Sequence, residues 1–325
     1  MYSHKLRSFL TYSFGVALSL TFALVIPAIA GSLTKPFFDV DGDGIADVSV
    51  FRRTDQNWYV KKSLGGFDYV RWGVETDNLV PGDYDGDGKT DIAIHRKLVA
   101  FPETGTWWII GSQNSNYYAT RWASNNIGEF DTPVPADYDG DGKTDLAYYR
   151  QTDVLGQSGT FIILPSSTNI GYSVTWGNPS LGDRAVPADY DGDGKADIAI
   201  YRNGEWWILQ SSDGSISVER FGIGSDKIVR GDFDGDGKAD LAVWRPANGT
   251  WYWRSSETGT VHSIPFGINS DKPVADDFDG DGKTDIAVFR PSNGVWYILC
   301  SATGTLEYHH FGLDSDTPIQ NVFVR

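Results

Sequence analysis

The sequence predicts an all-β chain folded as a β-propeller of four-stranded blades, with six blades expected and seven left open. Three observations predict it. A loop of the form Asp-x-Asp-Gly-Asp-Gly-x-x-Asp occurs six times, opening at Asp39, Asp83, Asp137, Asp189, Asp232 and Asp277. Short apolar and aromatic runs follow each copy in the same order, closing a unit of about 45 residues, the dimension of a blade. After the first thirty residues no ten-residue window has the 3.6-residue apolar period and caps of a helix.

Each unit can be taken in order. Nine residues after the first Asp a strand begins: Val48-Ser49-Val50, Ile92-Ala93-Ile94, Leu146-Ala147-Tyr148, Ile198-Ala199-Ile200, Leu241-Ala242-Val243 and Ile286-Ala287-Val288. Thirteen residues after that Asp stands an arginine in every copy: Arg52, Arg96, Arg150, Arg202, Arg245 and Arg290. Turn signals such as Pro291-Ser292-Asn293-Gly294 lead to a second, aromatic run, as in Trp58-Tyr59-Val60 and Trp296-Tyr297-Ile298. A third run closes on an aromatic, usually before Gly (Trp72-Gly73, Trp176-Gly177, Phe221-Gly222, Phe266-Gly267, Phe311-Gly312). A fourth, such as Pro133-Val134 or Pro273-Val274, enters the next aspartate loop. β-Branched and aromatic runs between turn residues are strands. Most of the twelve Trp are expected in the core between blades.

The last unit stops early. Phe311-Gly312-Leu313-Asp314-Ser315-Asp316-Thr317-Pro318-Ile319 opens a seventh copy, but Val322 stands where the sixth has Asp277. A terminal strand that pairs with the first blade would remove an exposed edge, so residues 316–325 are expected to close the ring.

Composition sets the class of partner. With 27 basic and 43 acidic residues the chain carries a net charge of −16, which argues against nucleic acid and anionic membranes. Residues 1–30 read as a secretory signal, with Lys5 and Arg7 first, an apolar run from Phe14 to Ile26, and a small-x-small site at Ala28-Ile29-Ala30. Cleavage after Ala30 implies a secreted, extracellular or periplasmic protein that is not inserted in a membrane; the alternative, an N-terminal membrane anchor, is disfavoured by Ser19 and Thr21 in the apolar run and Pro27 at its end. Losing Lys5 and Arg7 deepens the charge to −18, and six divalent cations would return it to −6. The lone Cys300 excludes an intrachain disulfide and reads as a small buried strand residue.

The aspartate loops carry the chemistry. Carboxylates at positions 1, 3, 5 and 9 around a glycine turn suit a hard cation such as Ca²⁺. An EF-hand or dockerin loop needs a carboxylate at position 12, where Val50, Ile94, Tyr148, Ile200, Val243 and Val288 stand.

The repeat Asp-Tyr-Asp-Gly-Asp-Gly-Lys-Thr-Asp-Ile-Ala at 83–93, with the Phe-Gly pairs at 221, 266 and 311, resembles the FG-GAP/VCBS family, the calcium-loop repeats of the integrin α-subunit head and of many exported bacterial proteins. The resemblance implies up to six structural Ca²⁺ ions, each held by side chains at positions 1, 3, 5 and 9 and the carbonyl of position 7. The first loop would use Asp39, Asp41, Asp43, Asp47 and Ile45, and the second Asp83, Asp85, Asp87, Asp91 and Lys89. The third would use Asp137, Asp139, Asp141, Asp145 and Lys143, and the fourth Asp189, Asp191, Asp193, Asp197 and Lys195. The fifth would use Asp232, Asp234, Asp236, Asp240 and Lys238, and the sixth Asp277, Asp279, Asp281, Asp285 and Lys283. The family serves adhesion, lectins and enzyme-appended modules alike, so the resemblance is specific for fold and cation and not for ligand.

Departures from the repeat point to a binding face. From the Arg to the ring that opens the second, aromatic run is 6, 11, 11, 4, 6 and 6 residues along the six units. Lys97–Thr106, Gln151–Thr160 and the connection Ala123–Phe130 are therefore long, and all should lie at the blade end opposite the aspartate loops. Phe101, Glu103, Asn125, Asn126, Glu129, Phe130 and Gln157 are the candidate ligand contacts there. The repeated Arg reads as architectural, pairing with an aspartate or a ring of a neighbouring blade. His95, His262, His309 and His310 fall on expected strands, and no Gly-x-Ser-x-Gly, His-Glu-x-x-His or phosphate loop occurs. The expectation is a monomeric, exported, calcium-binding module for protein or carbohydrate and not an enzyme. A structural scaffold, or less favourably a polysaccharide-active enzyme, are the alternatives.

Overall fold

In the computed structural model, residues 35–98, 104–122, 131–151 and 158–322 are described. They form six four-stranded antiparallel sheets, a six-bladed β-propeller. Blade one takes its inner strand from the C-terminal end: Thr317–Pro318 pairs with Val48–Arg52, followed outward by Asn57–Lys61 and Phe67–Arg71. The contact is Val50 with Pro318 and Phe51 with Thr317. The other five blades each run outward in chain order, blade two being Asn78–Leu79, Ile92–Leu98, Thr104–Ile110 and Tyr117–Arg121. The sequence unit is thus offset from the blade by one strand, and the ring is closed by the segment expected to close it. Two single-turn 3₁₀ helices, Pro179–Leu181 and Ile319–Asn321, are the helical elements among the described residues.

The second strand is buried through its first four residues in five blades, and in blade two from its second residue, Ala93, to its fourth, because both of its faces meet a neighbouring blade. Runs such as Ile-Ala-Ile-Tyr and Leu-Ala-Val-Trp suit that setting, with small Ala beside bulky neighbours. The third strands alternate, as in Glu205–Leu209 with Trp206 and Ile208 inside. The core is six clusters between adjacent blades, and Trp58, Trp107, Trp206, Trp244, Trp251 and Trp296 are all 0–1% exposed within it. Cys300 is buried just beyond the strand Val295–Leu299, and its desolvated thiol is pushed up to about 11, which keeps it protonated and inert.

The repeated arginine has an aspartate for a partner in all six blades and a ring in five, Ile162 standing in its place beside Arg150, but these partners lie in its own blade. Arg96 grips Asp77, nineteen residues earlier, through Nε and Nη2 at 2.8 Å each, and its guanidinium lies over Trp108. The same fork joins Arg150 to Asp131, Arg202 to Asp183, Arg245 to Asp226 and Arg290 to Asp271. Each pair ties the second strand to the turn before the inner strand of the same sheet. In blade one the partner is Asp316, so Arg52 binds the two ends of the chain together at 2.9 Å.

The long hairpin of blade two uses part of its extra length as ladder. Lys97 pairs with Gly105 and Leu98 with Thr104, extending both strands to seven residues. Phe101, Glu103, Asn125, Asn126, Glu129, Phe130 and Gln157 lie outside the described residues.

Candidate metal centres

Five aspartate loops join an inner strand to the second strand of their blade, the first leads into Val48–Arg52 from the lead-in at residues 35–38, and in all six the glycines set the shape. Gly42 and Gly44 have φ of 78° and 83°, where a side chain is strained. That turn aims both amides at the first carboxylate: Gly42 N donates to Asp39 Oδ1 at 2.6 Å and Gly44 N to Asp39 Oδ2 at 2.9 Å. The arrangement repeats at Asp83, Asp137, Asp189, Asp232 and Asp277.

The ninth residue is fully inside. Asp91, Asp145, Asp197 and Asp285 are 0% exposed. One oxygen of Asp91 accepts from Tyr84 N at 2.8 Å, and the other accepts from Ser112 N at 2.7 Å across the turn between the third and outer strands. That turn caps all six loops through Ser63, Ser112, Ser166, Ser211, Ser256 and Ser301, each of whose amides donates to the ninth carboxylate. In most blades the serine hydroxyl also donates to position 5, as Ser112 Oγ does to Asp87 at 2.9 Å. These serines went unread in the sequence, although they stand at the end of the third strand in every copy.

The carboxylate at position 3 has the mark of a metal ligand. Asp41 Oδ1, Asp85 Oδ1 and Asp279 Oδ1 are buried and accept no hydrogen bond, a costly state unless something else occupies them. Oxygens from positions 1, 3 and 9 come within 4.8 Å of one another in the second to fifth loops, and from positions 1, 3 and 5 in the first. Burial, then neighbouring carboxylates, drive the ninth residues upward: Asp47, Asp91, Asp145 and Asp285 to about 6, and Asp240 to about 7. Backbone amides pull the other way without cancelling it. These clusters can hold metal ions, and an all-oxygen donor set suits a hard one.

The loops are also tied to each other. The amide of position 8 donates to the carbonyl of position 1 in the preceding loop: Thr90 N to Asp39 O, Thr144 N to Asp83 O, Ala196 N to Asp137 O, Ala239 N to Asp189 O, Thr284 N to Asp232 O, and Ala46 N to Asp277 O, all at 2.6–2.7 Å. The last of these closes a circle of six. Position 7 of one loop lies over position 4 of the loop before. A Cβ on Gly86 would stand 2.7 Å from Lys143 Cε, and one on Gly280 would stand 2.9 Å from Ile45 Cγ1. Asp276, in the place of the Gly or Ala of the second to fifth units, accepts from Phe37 N at 2.7 Å and Phe38 N at 3.1 Å, fixing the lead-in to the first loop.

Comparison with known proteins agrees with this geometry. Residues 232–288 match the FG-GAP-like repeat and residues 273–304 the FG-GAP repeat. A search of curated proteins finds no match. Among solved structures, a lectin of Agrocybe aegerita, described as specific for non-reducing terminal N-acetylglucosamine, aligns with a TM-score of 0.55 at 15% identity, over 86% of this chain and 91% of that one. A virginiamycin B lyase from Staphylococcus aureus aligns with a TM-score of 0.48 at 10% identity, over 88% and 92%. At such identity the lectin shows a shared fold and nothing finer. The chain is a six-bladed β-propeller that carries FG-GAP repeats in its C-terminal region.

Proposed function

We propose that this is an exported propeller stabilised by up to six Ca²⁺ ions, acting as a binding or adhesion module for an extracellular protein or carbohydrate. The observation that carries it is the six-fold repetition of one carboxylate cluster, joined loop to loop around the ring. A site present in every blade and wired to its neighbours serves the scaffold, which leaves recognition to positions where the blades differ. Calcium at the roughly millimolar level found outside cells fills sites of this class, and metal bound only by the folded chain adds to its stability. The lectin of the same fold gives the carbohydrate half of the reading a precedent in architecture.

Two measurements test it. N-terminal sequencing of secreted protein should begin at Gly31, and calorimetric titration of chelated protein should count up to six calcium ions. A glycan array and a cell-surface binding assay, each with calcium and with EDTA, should then show calcium-dependent binding. Failure to bind on both would leave a scaffold in place of a binding module.

A further inference from the structure

Blades six and one meet at the seam where the chain ends are joined, and the outer edge of this seam differs from the others. Pairing registers fix which side chains face it. Tyr59 packs on the cluster of Val48, Val50, Trp296 and Ile298, so its face of blade one looks onto blade six. Tyr69 is paired with Tyr59, and Phe67 with Lys61, which puts all four on that face. On blade six His309 is paired with Trp296 and Glu307 with Ile298, members of the same cluster. At its outer edge two contacts cross the seam: Lys61 Nζ lies 2.7 Å from His309 Nδ1, and the Phe67 ring meets Phe311 edge-on at 5.7 Å.

The rings stand in water. Phe67 is 53% and Tyr69 68% exposed, with centroids 6.5 Å apart and Tyr59 behind both. At the same two positions the registers put Tyr117 with Ala119, Ile216 with Val218, and Val261 with Ser263. No other described outer strand carries two rings there. An adjoining pair of exposed rings is apolar surface that a ligand can cover.

The polar groups beside them are mixed in kind. Lys61 only donates and Glu307 only accepts. His309 Nδ1 accepts from the Lys61 ammonium, which leaves its proton on Nε2, 3.7 Å from Glu307 Oε2. That gap is too long for a hydrogen bond, and a hydroxyl oxygen placed beside it can accept from Nε2 and donate to Glu307. Burial and then Lys61 hold the imidazole below its usual value and neutral at pH 7. Lys61 and Glu307 offset one another, so the polar groups beside Phe67 carry no net charge. A pyranose matches each feature, with a C–H face for the rings and hydroxyls that both donate and accept.

We infer that this groove binds a neutral sugar unit, its ring face on Tyr69 and Phe67 and its hydroxyls on Lys61, His309 and Glu307. The inference rests on the reading of the chain as a binding module and narrows that reading to carbohydrate at one seam.

The test probes immobilised neutral chito-, cello-, manno- and galacto-oligosaccharides with the secreted chain in calcium. Wild type should bind at least one series. Tyr69→Ala should weaken that binding about tenfold or more, with an unchanged melting temperature because the ring is exposed. Tyr308→Ala removes a tyrosine that is 66% exposed on the face toward blade five, and should bind as wild type does. Equal binding by wild type and Tyr69→Ala would overturn the seam and leave the binding module standing. Binding to cell surfaces without binding to any oligosaccharide would overturn the sugar. Failure on both surfaces would sink the module and the seam together.

Discussion

Replacing Asp316 by Ala tests how the ring is held shut. The carboxylate is fully buried and accepts from Arg52 Nε and Nη2 at 2.9 Å each and from Leu313 N at 2.8 Å. Asp271 in blade six is a matched control, buried equally and accepting from Arg290 Nε and Nη2 at 2.9 Å and from Ile268 N at 2.9 Å. Removing one partner of such a pair costs about 3–5 kcal/mol at either place. What differs is the span: 264 residues separate Arg52 from Asp316 and 19 separate Arg290 from Asp271. Closing the longer loop costs about 2.3 kcal/mol more by (3/2)RT ln n. Wild-type amides in 48–52 and 316–320 should therefore exchange with solvent roughly fifty-fold faster than those around the inner strand of blade six. Asp316→Ala should speed exchange there by two orders of magnitude or more while the remaining blades keep their protection. Asp271→Ala should leave blade one protected. Native-state hydrogen exchange reads all three. Equal wild-type protection in the two blades, with Asp316→Ala losing protection uniformly across all six, would refute the idea of a clasp.

Other outcomes follow from the loops and the core. EDTA should lower the melting temperature substantially. The chelated protein should then be more stable near pH 5 than near pH 7.5, because Asp47, Asp91, Asp145 and Asp285 titrate at about 6 when folded and near 3.8 when not. That contribution is full below the unfolded value and is lost as pH rises through 6; melts across pH in EDTA check it. His95, 2% exposed between Trp107 and Tyr148, is held down at about 4 by burial. Its neutral form contributes stability above pH 6.5 that is lost as pH falls toward 4, roughly 3 kcal/mol in all. The other blades have Phe, Tyr or Trp at this place, and His95→Phe should abolish that part of the pH slope in denaturant titrations. Gly88→Ala, at φ 89° with open space around it, should cost about 1–2 kcal/mol from backbone strain alone. Gly86→Ala should cost more in the same assay, because it also meets Lys143.

Much of this was legible in the sequence because a strong period repeats its own signals. The six aspartate loops, the strand after each, and the closing role of Thr317–Pro318 can be read from spacing and from where the seventh copy stops. The partner of each arginine was legible too, at a constant offset of nineteen residues in five blades, yet it was assigned to the wrong blade because the sequence unit straddles two sheets. The loop-to-loop bonds could not be read, being backbone contacts in which neither the Asp carboxylate nor the identity of the donor, Ala or Thr, sets the link. Nor could the groove at Tyr69, because its two sides are joined only once the ring closes, and a strand aromatic looks the same whether a neighbouring blade covers it or not.

The circle of amide and carbonyl links among the loops has a mechanical consequence. Its donors are the backbone amides of Ala46, Thr90, Thr144, Ala196, Ala239 and Thr284, and the Thr90 and Thr284 hydroxyls add a second bond by accepting from Asp39 N and Asp232 N at 2.9 Å. Only a proline there would cut it, so the copies can drift in sequence while the circuit stays whole. A cation that stiffens one loop also steadies the carbonyl on which its neighbour hangs. The six loops then work as a hoop around staves: each is held by the tension of the rest, and slack introduced at one is shared by the two beside it.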